Sequence, residues 1–140
     1  MDKLRLFLAL ATAGAAVVAS AVETGTYRDE LGRVAGTVTV HGNRATYRDA
    51  QGRVTMTSVT NGTTTTYRDA MGRVVAVVTA TGNGRATCRD AQGRTVGTST
   101  TNGRHTTYRD ARGRTVGTAT QSGGGTTFRD AQGRTTGSKR

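Results

Sequence analysis

From residue 22 onward, short runs of Thr and Val alternate with clusters of Gly, Asn and Asp. Runs of β-branched residues bounded by turn-forming residues predict β-strands rather than helices. One slot in this pattern recurs every 20 residues, with a single step of 21, and holds an aromatic residue or Cys. A fixed period of this length predicts tandem copies of one structural unit. The slots are Tyr27, Tyr47, Tyr67, Cys88, Tyr108 and Phe128.

Each copy carries two turn signals. The first is Asp-x-x-Gly-Arg, which predicts a three-residue loop with a type I turn, closed by Asp49 opposite Arg53 and completed by a Gly of positive φ. The second is Gly-rich or Asn-Gly, and we interpret it as a three-residue loop too, because that loop length keeps every aromatic slot on one face of the strands. The predicted second loops are His41 with Val40 and Gly42, Thr60–Gly62, Thr101–Gly103 and Gln121–Gly123, with a four-residue loop at Gly82.

The fold class that follows is all-β. Six tandem β-hairpin repeats, near 23–42, 43–62, 63–83, 84–103, 104–123 and 124–140, supply twelve strands in a single domain that spans residues 22–140. We expect an antiparallel meander, and a β-solenoid with one coil per repeat is the alternative. A meander has two open edges, and the chain has no Pro to block them. Self-association through edge strands is therefore one expected partnership.

The predicted pairing divides the side chains between two faces. One face carries the aromatic slots with Ala35, Thr55, Val75, Val96 and Val116, followed by Thr37, Thr57, Val77, Thr98 and Thr118. The other face carries a column of Arg, with Val34, Val54, Val74, Gly36, Gly97 and Gly117 between its members. Successive Arg residues are expected roughly 10 Å apart, two strand spacings. The candidate anion-binding residues are Arg28, Arg48, Arg68, Arg89, Arg109 and Arg129.

The formal net charge is +11, and nearly all the basic residues are Arg. Arg binds planar anions with two parallel hydrogen bonds, so a polyanion is a plausible partner for the column. The alternative is that Arg serves the fold by pairing with Asp. Six Asp residues stand four positions before an Arg in the first turn, at Asp29–Arg33, Asp49–Arg53, Asp69–Arg73, Asp90–Arg94, Asp110–Arg114 and Asp130–Arg134. The column Arg residues have no such partner in the sequence.

The first 21 residues have a short basic start, an apolar run from Leu6 to Ala19 and the small residues Ala19-Ser20-Ala21. This pattern is typical of a secretory signal peptide cleaved near Ala21. We therefore expect a secreted, periplasmic or cell-surface protein with no stable membrane span after cleavage. Retention of the segment as an anchor is the alternative. Outside the cytoplasm, an anionic polysaccharide or lipopolysaccharide is the expected anion, and no nucleic acid is expected.

The phrase Tyr-x-Asp-x-x-Gly-Arg, as in Tyr47-Arg48-Asp49-Ala50-Gln51-Gly52-Arg53, resembles the YD repeats of bacterial RHS-type proteins. The likeness covers about seven positions in each of the six copies, with Arg48 where those repeats have a second Tyr. The chain also resembles short secreted bacterial tandem-repeat proteins of unknown role. The resemblance implies a sheet of hairpins and an extracytoplasmic bacterial setting.

The sequence offers no nucleophile–base set, and with two His and one Cys it predicts neither a metal site nor a cofactor. Cys88 is interpreted as a small apolar substitute in an aromatic slot, with an intermolecular disulfide as the alternative. The expected function is a non-enzymatic structural or cell-surface interaction protein that self-associates. A polyanion-binding module is the alternative. A third hypothesis is ice binding, because flat Thr-x-Thr arrays such as Thr37 and Thr39, Thr98 and Thr100, and Thr118 and Thr120 resemble those of ice-binding solenoids.

Overall fold

The computed structural model of the protein describes residues 19–140, which form twelve β-strands. The predicted signal peptide, residues 1–21, lies outside the described residues except for 19–21, which begin the first strand. The strands are β1 Ala19–Asp29, β2 Val34–Gly42, β3 Arg44–Asp49, β4 Val54–Asn61, β5 Thr64–Asp69, β6 Val74–Gly82, β7 Arg85–Asp90, β8 Thr95–Asn102, β9 His105–Asp110, β10 Thr115–Ser122, β11 Gly125–Asp130 and β12 Thr135–Lys139.

Each strand pairs antiparallel with its sequence neighbours, and β1 also pairs with β12, so the sheet closes into a barrel. At this seam Tyr27 lies opposite Lys139, and Thr26 and Arg140 exchange two backbone hydrogen bonds. The all-β meander of hairpins is confirmed, whereas the solenoid alternative is wrong. The expectation of two open edges is also wrong, because the first and last strands pair with each other.

The Asp-x-x-Gly-Arg turns have the predicted geometry. In the second hairpin the N–H of Gly52 donates to the carbonyl of Asp49 at 3.0 Å, and the N–H of Asp49 donates to the carbonyl of Arg53 at 2.9 Å. Gly52 has a φ of +81°, which completes a type I turn with a G1 bulge. The other five hairpins repeat this arrangement.

The second turns differ from the prediction, because they have two-residue loops instead of three or four. Asn61 pairs with Thr64 around Gly62 and Thr63, and Gly62 has a φ of +59°. Gly at the first central position with positive φ is the signature of a type II′ turn, and Gly42 and Gly103 occupy the same position in the turns after β2 and β8. The turn after β6 is instead of type I′, because both Asn83 and Gly84 have positive φ, and the additional residue of this repeat forms a bulge between Ala80 and Gly82.

A second unpredicted feature compensates for the shorter loops. Arg48 pairs with Val54 but Tyr47 pairs with Met56, so Thr55 is an extra residue in a β-bulge. The other five hairpins have the same bulge, at Ala35, Val75, Val96, Val116 and Thr136. A two-residue loop and a bulge each reverse the side-chain alternation once, so together they restore it. The predicted placement of all the aromatic slots on one face is therefore confirmed, by a different route.

That common face is the interior of the barrel. Four of the six slot residues lie directly opposite a Gly, as Tyr108 lies opposite Gly117, while Tyr47 and Tyr67 face Met56 and Ala76. Large residues set against small ones fill the interior of a small barrel. Val75, Val96 and Val116 pack against this core, as predicted. Two sets of residues lie on the face opposite to the predicted one. The residues predicted on the Arg face but buried inside the barrel are Gly36, Gly97 and Gly117. The residues predicted on the aromatic face but paired with Arg residues on the outer wall are Thr37, Thr57, Val77, Thr98 and Thr118.

The turn glycines provide a direct test of this backbone. We expect Gly72→Ala to lower the free energy of unfolding by about 1–2 kcal/mol, because Gly72 has a φ of +82° that L-residues adopt at a cost. The matched control is Gly124→Ala, at a turn Gly outside the positive-φ region where an added Cβ meets no atom within 4 Å. Urea unfolding of both variants measures the difference, and equal stability would contradict the turn geometry.

Candidate anion-binding site

The six candidate Arg residues form a closed ring on the outer wall of the barrel, near the end that carries the Asp turns. We refer to Arg28, Arg48, Arg68, Arg89, Arg109 and Arg129 as the arginine ring. All are exposed except Arg129, which is half-buried. Arg28, Arg48 and Arg68 pair with Val34, Val54 and Val74 on the following strands, as predicted.

The ring closes because every hairpin is offset from the previous one by the same amount. Arg68 lies opposite Thr57, and Thr57 lies opposite Thr46, which is two residues before Arg48. Successive members are thus two strands apart and offset by two residues along the strands, which places their Cα atoms about 12 Å apart. The same offset occurs across the seam, where Arg28 lies opposite Ser138 and Ser138 lies opposite Thr127, which is two residues before Arg129. The predicted column is therefore a ring of six equivalent positions.

Five of the six side chains of the ring, those of Arg28, Arg48, Arg68, Arg89 and Arg109, are held by bonds to the segments that follow them. The Nη1 group of Arg48 donates a hydrogen bond to the carbonyl of Gly52 at 3.1 Å, and Arg28 makes the equivalent bond to Gly32 at 2.9 Å. Arg68 and Arg109 do the same, and Arg89 adds a bond to the hydroxyl of Thr95 at 3.1 Å. The expectation that the ring lacks partners was incomplete, because sequence spacing to Asp does not reveal bonds to backbone carbonyls. One such bond leaves most of the five guanidinium donors available.

The predicted Asp–Arg pairs are present in all six hairpins. The Oδ1 atom of Asp49 accepts hydrogen bonds from the backbone N–H groups of Gln51 and Arg53 at 2.9 and 3.0 Å, and its Oδ2 accepts one from Arg53 Nε at 2.9 Å. Each Asp therefore fixes its own turn as well as neutralising one Arg. The six ion pairs have N–O distances of 2.8–2.9 Å.

These bonds lower the pKa of all six carboxyl groups below the ordinary value of 3.8. At Asp29, Asp49 and Asp69 the largest influence is the hydrogen bond from the backbone N–H of the paired Arg. At Asp90, Asp110 and Asp130 partial burial is the largest influence and acts in the opposite direction, but the hydrogen bonds together outweigh it. The carboxylates are therefore charged at neutral pH.

We expect the barrel to lose stability in acid. A carboxyl group whose pKa is lower in the folded chain than in the unfolded chain stabilises the fold above its unfolded pKa, near 3.8, and that contribution disappears as the pH falls through the folded value. The melting temperature should accordingly decrease as the pH is lowered below about 4. Asp69→Asn, which lacks one titrating group, should show a smaller fall. A melting temperature that stays constant down to about pH 2 would contradict a stabilising role for these pairs.

The end of the barrel that carries the ring has an excess of positive charge. Its six turn segments, each running from the ring Arg to the Arg that pairs with Asp, contain thirteen Arg against seven carboxylates, which leaves six positive charges. The opposite end carries Arg44, Arg85 and Arg104 near the two-residue loops. The turn segments therefore hold more of the net positive charge of residues 19–140 than the remainder of this region, where Arg44, Arg85, Arg104, Lys139 and Arg140 are offset by Glu23 alone.

The interior presents buried phenol and thiol groups. Burial, the largest influence, raises the pKa of Tyr47 and Tyr67 above the ordinary value of 10 and that of Tyr108 to about 12. The hydroxyl of Tyr47 is buried without a hydrogen-bond partner. Burial also raises the pKa of Cys88 to about 11, and the residue is 2% exposed, so its thiol is out of reach of a second molecule in the closed barrel.

The two His residues lie apart from each other and from other metal-ligating groups. His105 bonds to the hydroxyl of Thr120 on the outer wall, and His41 pairs with Arg44 at the end of β2. Across residues 19–140, no three His, Cys, Asp or Glu side chains are grouped so that they could hold a metal ion. The same part of the chain contains no helix long and apolar enough to cross a membrane.

Among the described residues, a cavity opens at each end of the barrel, and nothing in the repeat pattern predicts these cavities. A cavity of about 350 Å³ lies at the end with the Asp turns, where Tyr27, Tyr47, Met56 and Val75 line it. A cavity of about 260 Å³ lies at the opposite end, bordered by the Thr60–Thr65 and Thr101–Thr106 hydroxyl pairs. The predicted hairpins could not reveal these spaces, because a cavity arises only when the sheet closes.

Comparisons with known proteins give no relative for this chain, since no protein-family model, no curated protein and no solved structure matches it.

Proposed function

We propose that the protein is a secreted, non-enzymatic bacterial surface-interaction protein whose arginine ring binds anionic polysaccharide. The observation that carries this proposal is the ring itself, six exposed or half-buried Arg at equivalent positions around one end of the barrel. The likeness to RHS-type YD repeats and the signal-peptide pattern support the extracytoplasmic setting. No catalytic role is assigned to any residue.

The geometry favours contact with an anionic layer over a single linear polymer. Members of the ring lie on all sides of the barrel, so one straight chain that touches the wall reaches only two or three of them. A polysaccharide layer, such as the lipopolysaccharide surface of a cell, can meet the barrel end-on and reach all six. Hydrogen bonds to the turn carbonyls restrict the guanidinium groups beforehand, which lowers the entropy cost of binding.

Immobilised heparin tests the proposal, because it is a sulfated polysaccharide presented as a surface. We expect the mature protein to bind with an affinity that falls as salt rises, since an anionic polymer releases counterions when it is bound. Arg48→Gln, Arg68→Gln and Arg109→Gln combined should weaken binding at least tenfold. The matched control combines Arg44→Gln, Arg85→Gln and Arg104→Gln, which removes the same charge at the opposite end and should weaken binding much less. Binding that is insensitive to salt, or an equal loss in both triple variants, would overturn the proposal.

Self-association and ice binding receive less support. Self-association through edge strands was expected because a meander has two open edges. In the barrel, β1 and β12 pair with each other, so neither of these strands has an open edge along that pairing. The Thr pairs proposed for ice binding lie on the outer wall beside the ring, as Thr37 lies opposite Arg48. A wall of twelve strands that closes on itself turns by about 30° per strand on average, so these Thr residues do not form the broad flat array that the hypothesis needs.

A further inference from the structure

We propose that the cavity inside the barrel mouth, at the end with the Asp turns, binds the alkyl chain of an anionic amphiphile. The mouth pocket, as we call it, has a volume of about 350 Å³ and is lined on its inner side by Tyr27, Tyr47, Met56 and Val75. This volume falls at the lower end of the range for small-molecule sites, which are concave, mostly apolar and furnished with a few polar groups.

The lining is suited to a flexible apolar group. Met56 is 7% exposed, and its unbranched thioether adapts its shape to whatever lies against it. The rings of Tyr27 and Tyr47 and the side chain of Val75 add further apolar surface. The bulge supplies part of this pocket, because Ala35, Thr55 and Val75 are the extra residues of their hairpins and line it as well.

The rim of the pocket identifies the charge of the head group. Asp69 lines the pocket, but it is already neutralised by Arg73 at 2.9 Å. The guanidinium of Arg48, on the outer wall beside the mouth, donates to the neutral carbonyl of Gly52 and retains its full positive charge. A carboxylate, sulfate or phosphate that emerges from the mouth therefore meets uncompensated positive charge, whereas a cationic head group is repelled. This part of the inference rests on the proposed role of the arginine ring, while the accommodation of the chain does not.

The two described methionines provide a built-in probe. Met56 lies in the pocket, whereas Met71 is 80% exposed in the turn of the third hairpin. With ¹³C-labelled methionine methyl groups, we expect decanoate to shift the Met56 resonance and to leave that of Met71 unchanged. Acetate, which has the charge without the chain, should shift neither. Decyltrimethylammonium, which has the chain with the opposite charge, should bind at least fivefold more weakly than decanoate.

Two substitutions locate the response. Ala35→Phe places a ring over the mouth from an exposed position and should abolish the Met56 shift. Thr136→Phe adds the same ring at the equivalent exposed bulge of the sixth hairpin, which does not line the pocket, and should leave the shift intact. A Met56 response that acetate reproduces, or that survives Ala35→Phe, would overturn the inference. Equal affinity for the anionic and cationic amphiphiles would overturn the head-group assignment alone, and heparin binding would then test the ring separately.

Discussion

Replacement of Tyr67 by Ala is expected to lower the free energy of unfolding by about 3–5 kcal/mol, as large aromatic truncations in a core do. Tyr67 is 0% exposed and is the most completely buried of the slot residues. Its ring lies opposite Ala76 and Ser58 and stands 6.4 Å from the ring of Tyr47. The small neighbours cannot fill the space that the ring leaves. Because small domains are stable by only about 5–15 kcal/mol, a substantial part of the molecules should unfold at moderate temperature.

Urea unfolding followed by circular dichroism measures this loss. Met71→Ala, an exposed position two residues beyond the same strand, should change the stability by less than about 0.5 kcal/mol. Tyr67→Phe keeps the ring and removes only the hydroxyl, so it should cost about 1 kcal/mol. If Tyr67→Ala were as mild as Met71→Ala, the barrel interior would not be the source of stability described above.

Alkaline conditions are expected to unfold the barrel. A tyrosine whose pKa is higher in the folded chain stabilises the fold fully below its unfolded pKa, near 10, and that stabilisation is lost as the pH rises through the folded value. Each unit of pH between these two values costs about 1.4 kcal/mol per residue. Because Tyr47, Tyr67 and Tyr108 all contribute, the combined loss near pH 12 is expected to reach several kcal/mol, a large part of the total stability of a small domain.

Phenolate absorbance and far-ultraviolet circular dichroism, recorded during one titration, test this expectation. The buried phenols should ionise in step with the loss of β-structure. Tyr67→Phe combined with Tyr108→Phe should move the transition to higher pH, because two of the three contributing hydroxyls are gone. Ionisation of all phenols near pH 10 with intact β-structure would show that the rings are accessible to hydroxide in the folded protein.

The Asp turns were predictable because their determinants are local. Within five residues, Asp49 provides the acceptors for two backbone N–H groups, Gly52 provides the positive φ and Arg53 provides the ion pair. These interactions act inside one hairpin and do not depend on the rest of the sheet. The repeat period, the hairpins and the six Asp–Arg pairs therefore followed from the sequence.

The second turns and the bulges were not predicted. The shorter loop and the bulge each change the register by one residue, and together they leave the aromatic residues on the same face as the predicted pairing does. A signal that could have separated the two pairings is the residue nine positions after each aromatic slot, which is Gly in four repeats, Met56 in the second and Ala76 in the third. Small residues at this position indicate that it lies against a ring. The residue eight positions after the slot, which the prediction preferred, is Val in three repeats and occupies the bulge.

Barrel closure could not be read from any single repeat. It depends on the two-residue offset between successive hairpins, which accumulates to twelve residues around twelve strands. Only when six offsets are summed does β1 come into register with β12. For the same reason the arginine ring was predicted as residues but not as a ring, and the mouth pocket was not predicted at all.

Because the wall closes, the number of copies determines the girth of the whole molecule. In an open sheet or a solenoid, a gene duplication that adds one repeat extends one end and leaves the others as they were. Here a seventh hairpin would bring fourteen strands into the circumference and widen the lumen. The aromatic side chains would then be separated from the interior side chains on the opposite side of the barrel. Recombination between such similar repeats can therefore change the copy number only if substitutions at the inward positions refill the enlarged interior.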